Sequence, residues 1–180
     1  MVYTHKELKE IYGSNYQIQK AVKEGILYKL ELGVYSDKQQ NHYLDIFTKK
    51  YPNAVISGES AFYYHNLTDV IPTKIFITTE RTSGRFNDKY ISQSYSIDNY
   101  YNLGKTTIEY EGVKINIYDK ERMLIELVKN KKNTSYDYYK EIIESYRKIK
   151  NTLDLYKLYE YASTYPNGQK IISMIQDEVF

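Results

Sequence analysis

Cysteine is absent from this 180-residue chain, and with it disulfides and cysteine-based zinc sites. Tryptophan is absent too. No apolar run approaches the roughly 20 residues a helix needs to span a bilayer. The start lacks the charged-then-apolar pattern of a signal peptide. These absences set the expectation of a cytoplasmic protein with no membrane partner. Charge of one sign is also lacking. Lys and Arg number 25 against 23 Asp and Glu, and a net charge of +2 does not by itself announce a nucleic-acid partner. His5, His42 and His65 are too far apart for metal-ligand spacing, and no glycine-rich phosphate loop occurs.

Catalytic patterns are equally sparse. Gly58-Glu59-Ser60-Ala61-Phe62 matches half of a hydrolase nucleophile elbow, but Phe62 stands where the second glycine is needed. Ser60 therefore reads as part of a helix start. Gly13-Ser14 is followed by Asn15-Tyr16, without the paired aspartates that would hold magnesium in a nucleotidyltransferase. Glu111 and Lys114 are one residue too far apart for a Glu-x-Lys nuclease. The expectation is a protein that is not an enzyme and uses neither cofactor nor metal. Asp119, Glu121 and Arg122 read as a helix start, with acids at the positive end of the dipole and Arg122 in an internal ion pair.

What is present is a workable core and much tyrosine. Hydrophobic residues make up 42% of the chain, enough for one large domain or a small and a medium one. The 23 tyrosines are spread along the whole length, as AT-rich coding composition would leave them, rather than gathered into a stacking platform.

The most informative stretch runs from Ser14 to Tyr35. Ser14 reads as an N-cap. Ile18, Ala21 and Val22 recur at helical spacing on one narrow apolar face, while Tyr16, Gln19, Lys20 and Lys23 occupy a polar, cationic one. Gly25 stops the helix. Ile26–Leu30 and Val34–Tyr35 then read as strands around a turn at Glu31–Gly33. Upstream, Thr4–Tyr12 reads as a helix with a Thr4/Glu7 capping box, Leu8 and Ile11 inward, and a stop at Gly13. Helix, tight turn, helix and small hairpin describe a winged helix-turn-helix. The pattern leaves no room for the helix that usually precedes such a pair.

Farther along, 37–50 reads as a connecting helix burying Leu44 and Phe47, closed by Tyr51-Pro52-Asn53. Short extended residues 54–56 precede a helix over 58–65, capped by Ser57, that carries Ala61, Phe62 and Tyr64 inward, with His65 as a structural hydrogen-bond donor. Strands are expected at 74–79 and 91–97, and a hairpin at 106–110 and 113–118 around Glu111-Gly112. Helices follow at 120–130, 136–149 and 152–161, the third carrying Leu155, Leu158, Tyr159 and Ala162, and a last one holds Ile171, Ile172 and Ile175. The fold class expected is α+β: a small winged helix-turn-helix over 1–36, a connecting helix over 37–50, and a mixed α/β domain over 51–180 that ends in helices.

Several segments carry a resemblance when taken in order. They are Ala21 to Tyr35, Tyr51-Pro52-Asn53-Ala54-Val55-Ile56-Ser57, Ser60-Ala61, His65-Asn66-Leu67-Thr68-Asp69, Ile71-Pro72, and Ile117-Tyr118-Asp119-Lys120-Glu121-Arg122. Together they resemble the AbiEi-type antitoxins of type IV toxin–antitoxin and abortive-infection systems, over most of the chain to about Ile149. The resemblance implies an N-terminal domain that binds inverted repeats in its own promoter. It also implies a C-terminal antitoxin domain over 51–180, opposing a nucleotidyltransferase-like toxin without a stable complex. On this reading the protein is an antitoxin and a transcriptional autorepressor. The alternative is a protein-interaction module, or a degenerate enzyme, that kept the fold and lost DNA binding.

The residues expected at DNA follow from the helix faces. Asn15, Tyr16, Gln17 and Gln19 occupy the N-terminal turns of the second helix, where base edges are read in helix-turn-helix proteins. Lys20, Lys23 and, on the hairpin, Lys29 are expected at phosphates. The first 35 residues hold only five lysines against four acids. The basic stretch 129–150, with Lys129, Lys131 and Lys132 at its start, reads either as a solvated face that keeps the protein soluble or as a second phosphate-contacting surface.

Overall fold

The computed structural model describes residues 1–180; the side chain of Asp98 lies outside the described residues. The chain divides into two compact units. The first comprises residues 1–54 with 109–115, the second 55–108 with 116–180.

In the first unit, β1 (Val2–Thr4) leads into α1 (His5–Tyr12) and α2 (Asn15–Lys23), followed by β2 (Tyr28–Glu31), β3 (Val34–Ser36) and α3 (Tyr43–Lys50). Thr4 caps α1 through a reciprocal box. Its Oγ1 accepts from the Glu7 amide at 3.2 Å, while Glu7 Oε2 accepts from the Thr4 amide at 2.7 Å. Lys49 on α3 donates to the other Glu7 oxygen at 2.6 Å. That bond, with the Thr4 amide behind it, holds the Glu7 carboxyl below the usual carboxylate range. Gly13, at φ +77, makes the turn between the helices, and Ser14 caps α2 by accepting from Gln17 N at 3.3 Å. Leu8, Ile18, Ala21, Leu27 and Tyr35 form the core of this unit.

Three expectations are corrected here. The strand before the helices was not foreseen, yet β1 pairs antiparallel with β3 to give a three-stranded sheet in the order β1-β3-β2. Ile11 points outward, 63% exposed, because a helix of eight residues buries a single row at Leu8. The helix over 37–50 begins only at Tyr43, since Ser36 Oγ bonds Asn41 Oδ1 and accepts from Lys38 N, holding the intervening polar residues in a side-chain-stabilised turn. Leu44 and Phe47 are buried as expected.

The second unit is a mixed α/β fold. Its strands are β4 (Val55–Ile56), β5 (Ile75–Glu80), β6 (Ile91–Ser96), β7 (Lys105–Tyr110) and β8 (Val113–Tyr118), in the sheet order β6-β5-β4-β8-β7. β4 is antiparallel to β5 and parallel to β8, and β5 is parallel to β6. Helix α4 (Gly58–Tyr64) packs on β5, and the short α5 (Asp98–Tyr101) follows β6. The chain then ends in helices α6 (Lys120–Lys129), α7 (Tyr136–Ile149), α8 (Leu155–Ser163) and α9 (Gly168–Val179). The turn between β7 and β8, which groups with the first unit, has positive φ at both Glu111 and Gly112, the signature of a tight I′ hairpin.

α6 is the hub of the second unit and packs against α4, α8 and α9. Asp119 caps it by accepting from Arg122 N at 2.8 Å. Met123, Leu124, Ile125, Leu127 and Val128 are all buried. Tyrosine hydroxyls tie the surrounding elements together. Tyr118 donates to Tyr101 O, Tyr139 to Glu178, Tyr146 to Lys120 O, Tyr161 to Asp119 and Tyr165 to Glu126, at 2.6 to 3.0 Å. Each bond joins an aromatic body packed among helices to an acceptor on another element, so the abundant tyrosine is put to structural use here. Of the apolar set carried by α8, Leu158 and Ala162 are buried, whereas Leu155 and Tyr159 are half exposed and the Tyr159 hydroxyl accepts from Gln176. Among the described residues no helix is long and apolar enough to cross a membrane.

Candidate functional site

The first candidate surface is built on α2. Ile18 and Ala21 anchor one side of the helix in the core. The remaining positions follow from the 3.6-residue repeat: Asn15, Tyr16, Gln17, Gln19, Lys20 and Lys23 are all exposed. Tyr16 is 75% exposed, a large ring held in solvent by a helix that is otherwise well anchored. Lys29 projects from β2 opposite the buried Tyr35. Lys20 lies 3.8 Å from Glu24, one turn on, whereas Lys23 and Lys29 form no ion pair among the described residues. Leu32, at the tip of the β2–β3 hairpin, is 90% exposed.

The other three expected lysines lie in the second unit, and two already have partners. Lys129 sits 3.3 Å from Glu126 Oε1 and 3.8 Å from the centroid of the Tyr165 ring. Lys131 donates to Glu178 at 2.8 Å and lies over the Tyr139 ring. Only Lys132 of the three has no ion-pair partner among the described residues.

The serine of the half-matched elbow is occupied. Ser60 is fully buried, donates to Lys74 O at 3.1 Å and accepts from Phe76 N at 2.9 Å, so its oxygen splices α4 to β5. His65 Nε2 donates to Tyr118 O at 2.7 Å, and burial holds its pKa below the ordinary value. Arg122 is 5% exposed. Its Nη2 pairs with Glu126 at 2.9 Å, its Nη1 donates to Tyr100 O at 3.0 Å, and the guanidinium lies near the Tyr118 and Tyr165 rings. The ion pair foreseen for Arg122 is present and sits at the end of α6 nearest the sheet.

A second feature had no counterpart in the sequence reading. A cleft of about 970 Å³ opens within the second unit between one face of the sheet and helices α4, α6 and α7. Its floor carries hydroxyls. Phe76 and Thr78 on β5 lie in register with Ser92 and Ser94 on β6, and Ser96 continues the same face. Thr78 Oγ1 is 2.9 Å from both Ser57 Oγ and Ser94 Oγ. Ser57 was expected to cap α4; it makes no side-chain cap bond, and its hydroxyl accepts from Thr78 instead. The signal for this floor was the alternation Ser92, Ser94, Ser96, but only the strand register shows that Thr78 joins it.

No protein-family model matches the sequence, and no curated protein matches it. Among solved structures, the chain is similar to the RV2827C protein of Mycobacterium tuberculosis, at a TM-score of 0.65 and 14% identity, with 99% of this chain and 72% of that one covered. At that identity the likeness concerns the fold alone.

Proposed function

We propose that the protein is a DNA-binding autorepressor and the antitoxin of a type IV toxin–antitoxin system, with a nucleotidyltransferase-like toxin as its counterpart. One observation carries the DNA-binding half. An anchored helix presents six polar positions to solvent, from Asn15 to Lys23, beside a hairpin bearing Lys29. That combination suits a recognition helix with an adjacent wing, the helix offering amides to adenine edges and the hairpin a cation to the phosphate backbone. The antitoxin half rests on the sequence resemblance, and residues 51–180 are the segment assigned to it.

The test has two arms. Fluorescence anisotropy with the protein's own upstream DNA, against a shuffled duplex, should show preference for the upstream sequence; equal affinities refute autorepression. Co-expression of Tyr51 to Phe180 with the toxin encoded next to it should restore growth. Arrest despite soluble fragment refutes the antitoxin assignment.

A second reading, a protein-interaction module, is favoured by a specific observation: the floor of the cleft is hydroxylated where a sheet face beneath helices is ordinarily apolar.

A further inference from the structure

A sheet face that packs under helices gains its stability by burying apolar side chains. Here the β5–β6 half of the sheet instead turns Thr78, Ser92, Ser94 and Ser96 into open space. The hydrogen-bonding capacity there is incompletely used. Thr78 donates to Ser57 and Ser94 donates to Ile77 O, while the Ser57 hydroxyl proton and the Ser92 hydroxyl have no acceptor or donor among the described residues. Two lining side chains hold buried polar atoms with no partner, Arg122 Nε and Tyr138 Oη. Arg122 is the more telling, because its residue is 5% exposed and an unsatisfied buried N–H costs about 1–3 kcal/mol.

Charge defines what would complete the site. Four carboxylates line the cleft, Glu59, Glu126, Asp137 and Glu141, against one guanidinium, Arg122. Glu126 is neutralised by Arg122 and Lys129, and Glu141 accepts from Thr68 at 2.6 Å. Glu59 and Asp137 have no cationic partner among the described residues. An anionic ligand such as a nucleotide would meet net repulsion. A simple polyamine would satisfy the carboxylates but offers no acceptor to the serine protons. A peptide supplies both, with backbone carbonyls and amides for the hydroxyl floor and cationic side chains for the acids. β6 is also the edge strand of the sheet, bonded only to β5, and its Ser92 to Ser96 run along the cleft. Extended segments dock along such edges in many recognition domains.

We propose that this cleft is a docking site for an extended segment of a partner protein carrying Arg or Lys at alternate positions. Glu59 and Asp137 take its cations, and the Thr78–Ser94 floor takes its backbone. The inference is independent of promoter binding and of the toxin's identity, since it concerns purified protein and the second unit alone.

The probe is a short fluorescein-labelled peptide alternating Arg and Val, titrated by anisotropy with the full chain. Its competitors are the same peptide with Glu in place of Arg, and spermine. The expected result is saturable binding to the Arg peptide, none to the Glu peptide, and little displacement by spermine. The double variant Glu59→Gln, Asp137→Asn should bind about tenfold more weakly, two exposed charge contacts contributing about threefold each. Ser92→Phe, which fills the floor without changing charge, should weaken binding as well, and it decides the matter alone if the double variant loses its fold by circular dichroism. Absence of saturable binding, equal affinity in both variants, or full displacement by spermine at comparable affinity would each overturn the proposal.

Discussion

The proposed phosphate contacts lend themselves to a quantitative prediction, because the three lysines on the α2 and hairpin surface are not equivalent. Lys23 and Lys29 have no ion-pair partner among the described residues, while Lys20 stands 3.8 Å from Glu24 with both side chains about half exposed. A lysine that neutralises a phosphate displaces a counterion, and each such contact contributes about −0.9 to the slope of log affinity against log salt. Between 50 and 200 mM salt this amounts to about 3.5-fold in affinity per contact. The variant Lys23→Ala, Lys29→Ala should therefore reduce the slope by about 1.8 and flatten the salt response by about twelvefold over that range. Lys20→Ala should remove less, because part of its charge is already answered within the helix. Glu24→Gln makes the complementary prediction. It frees Lys20 and removes a carboxylate from the negative end of the α2 dipole, so affinity and slope should both rise without loss of stability. Gel shifts or anisotropy over a salt series read all of this directly. An unchanged slope in the Lys23/Lys29 variant, with its fold intact, would refute the assignment of this face to DNA.

Alanine at Gln17 and Gln19 should erode preference for the upstream sequence over random DNA by about 1–3 kcal/mol per lost adenine pair while leaving the salt slope alone; competition binding checks it. Lys129, Lys131 and Lys132 changed together to Gln should alter promoter affinity less than the Lys23/Lys29 pair does, since two of the three are engaged by Glu126 and Glu178, and the same salt series compares them. Gly104→Ala should destabilise the protein by about 2–4 kcal/mol in urea denaturation, combining the left-handed backbone penalty with overpacking; its φ is +72, and a Cβ there would lie 2.5 Å from Arg122 Cβ and 2.9 Å from Asp119 Oδ1. His65 should make stability sensitive to acid. Its folded pKa lies below the ordinary value, so its contribution is complete above about 6.5 and declines as pH falls below that, and thermal melts of His65→Gln should show a shallower decline.

Short-range chemistry made much of this fold legible in the sequence. The Thr4/Glu7 box, the Ser14 cap, the stops at Gly13 and Gly25, and α7 over Tyr136–Ile149 are each written in a few neighbouring residues. What stayed hidden depends on distant partners. β1 is three residues long and exists because Val2, Tyr3 and Thr4 pair with β3 at Ser36, Tyr35 and Val34, far along the chain. Ile11 and Tyr159 satisfied helical spacing, but their helices bury one row only. The cleft was least legible of all. Ser92, Ser94 and Ser96 read as an indifferent strand until their register with β5 places them beside Thr78, and Glu59 and Asp137 come from helices far apart in the chain.

The tyrosine hydroxyls that tie the second unit together also give the protein an optical signature. With no tryptophan, its near-ultraviolet absorbance is set almost entirely by tyrosine. Two populations follow from the structure. Tyr16, Tyr136 and Tyr156 stand in solvent, more than 70% exposed. Tyr118, Tyr139, Tyr161 and Tyr165 are held well above the ordinary tyrosine value, first by burial, and the last three also donate to carboxylates. A spectrophotometric alkaline titration should therefore show these four rings ionising in a late step that coincides with unfolding. The absorbance of that step is then a label-free gauge of whether the helices around α6 are assembled.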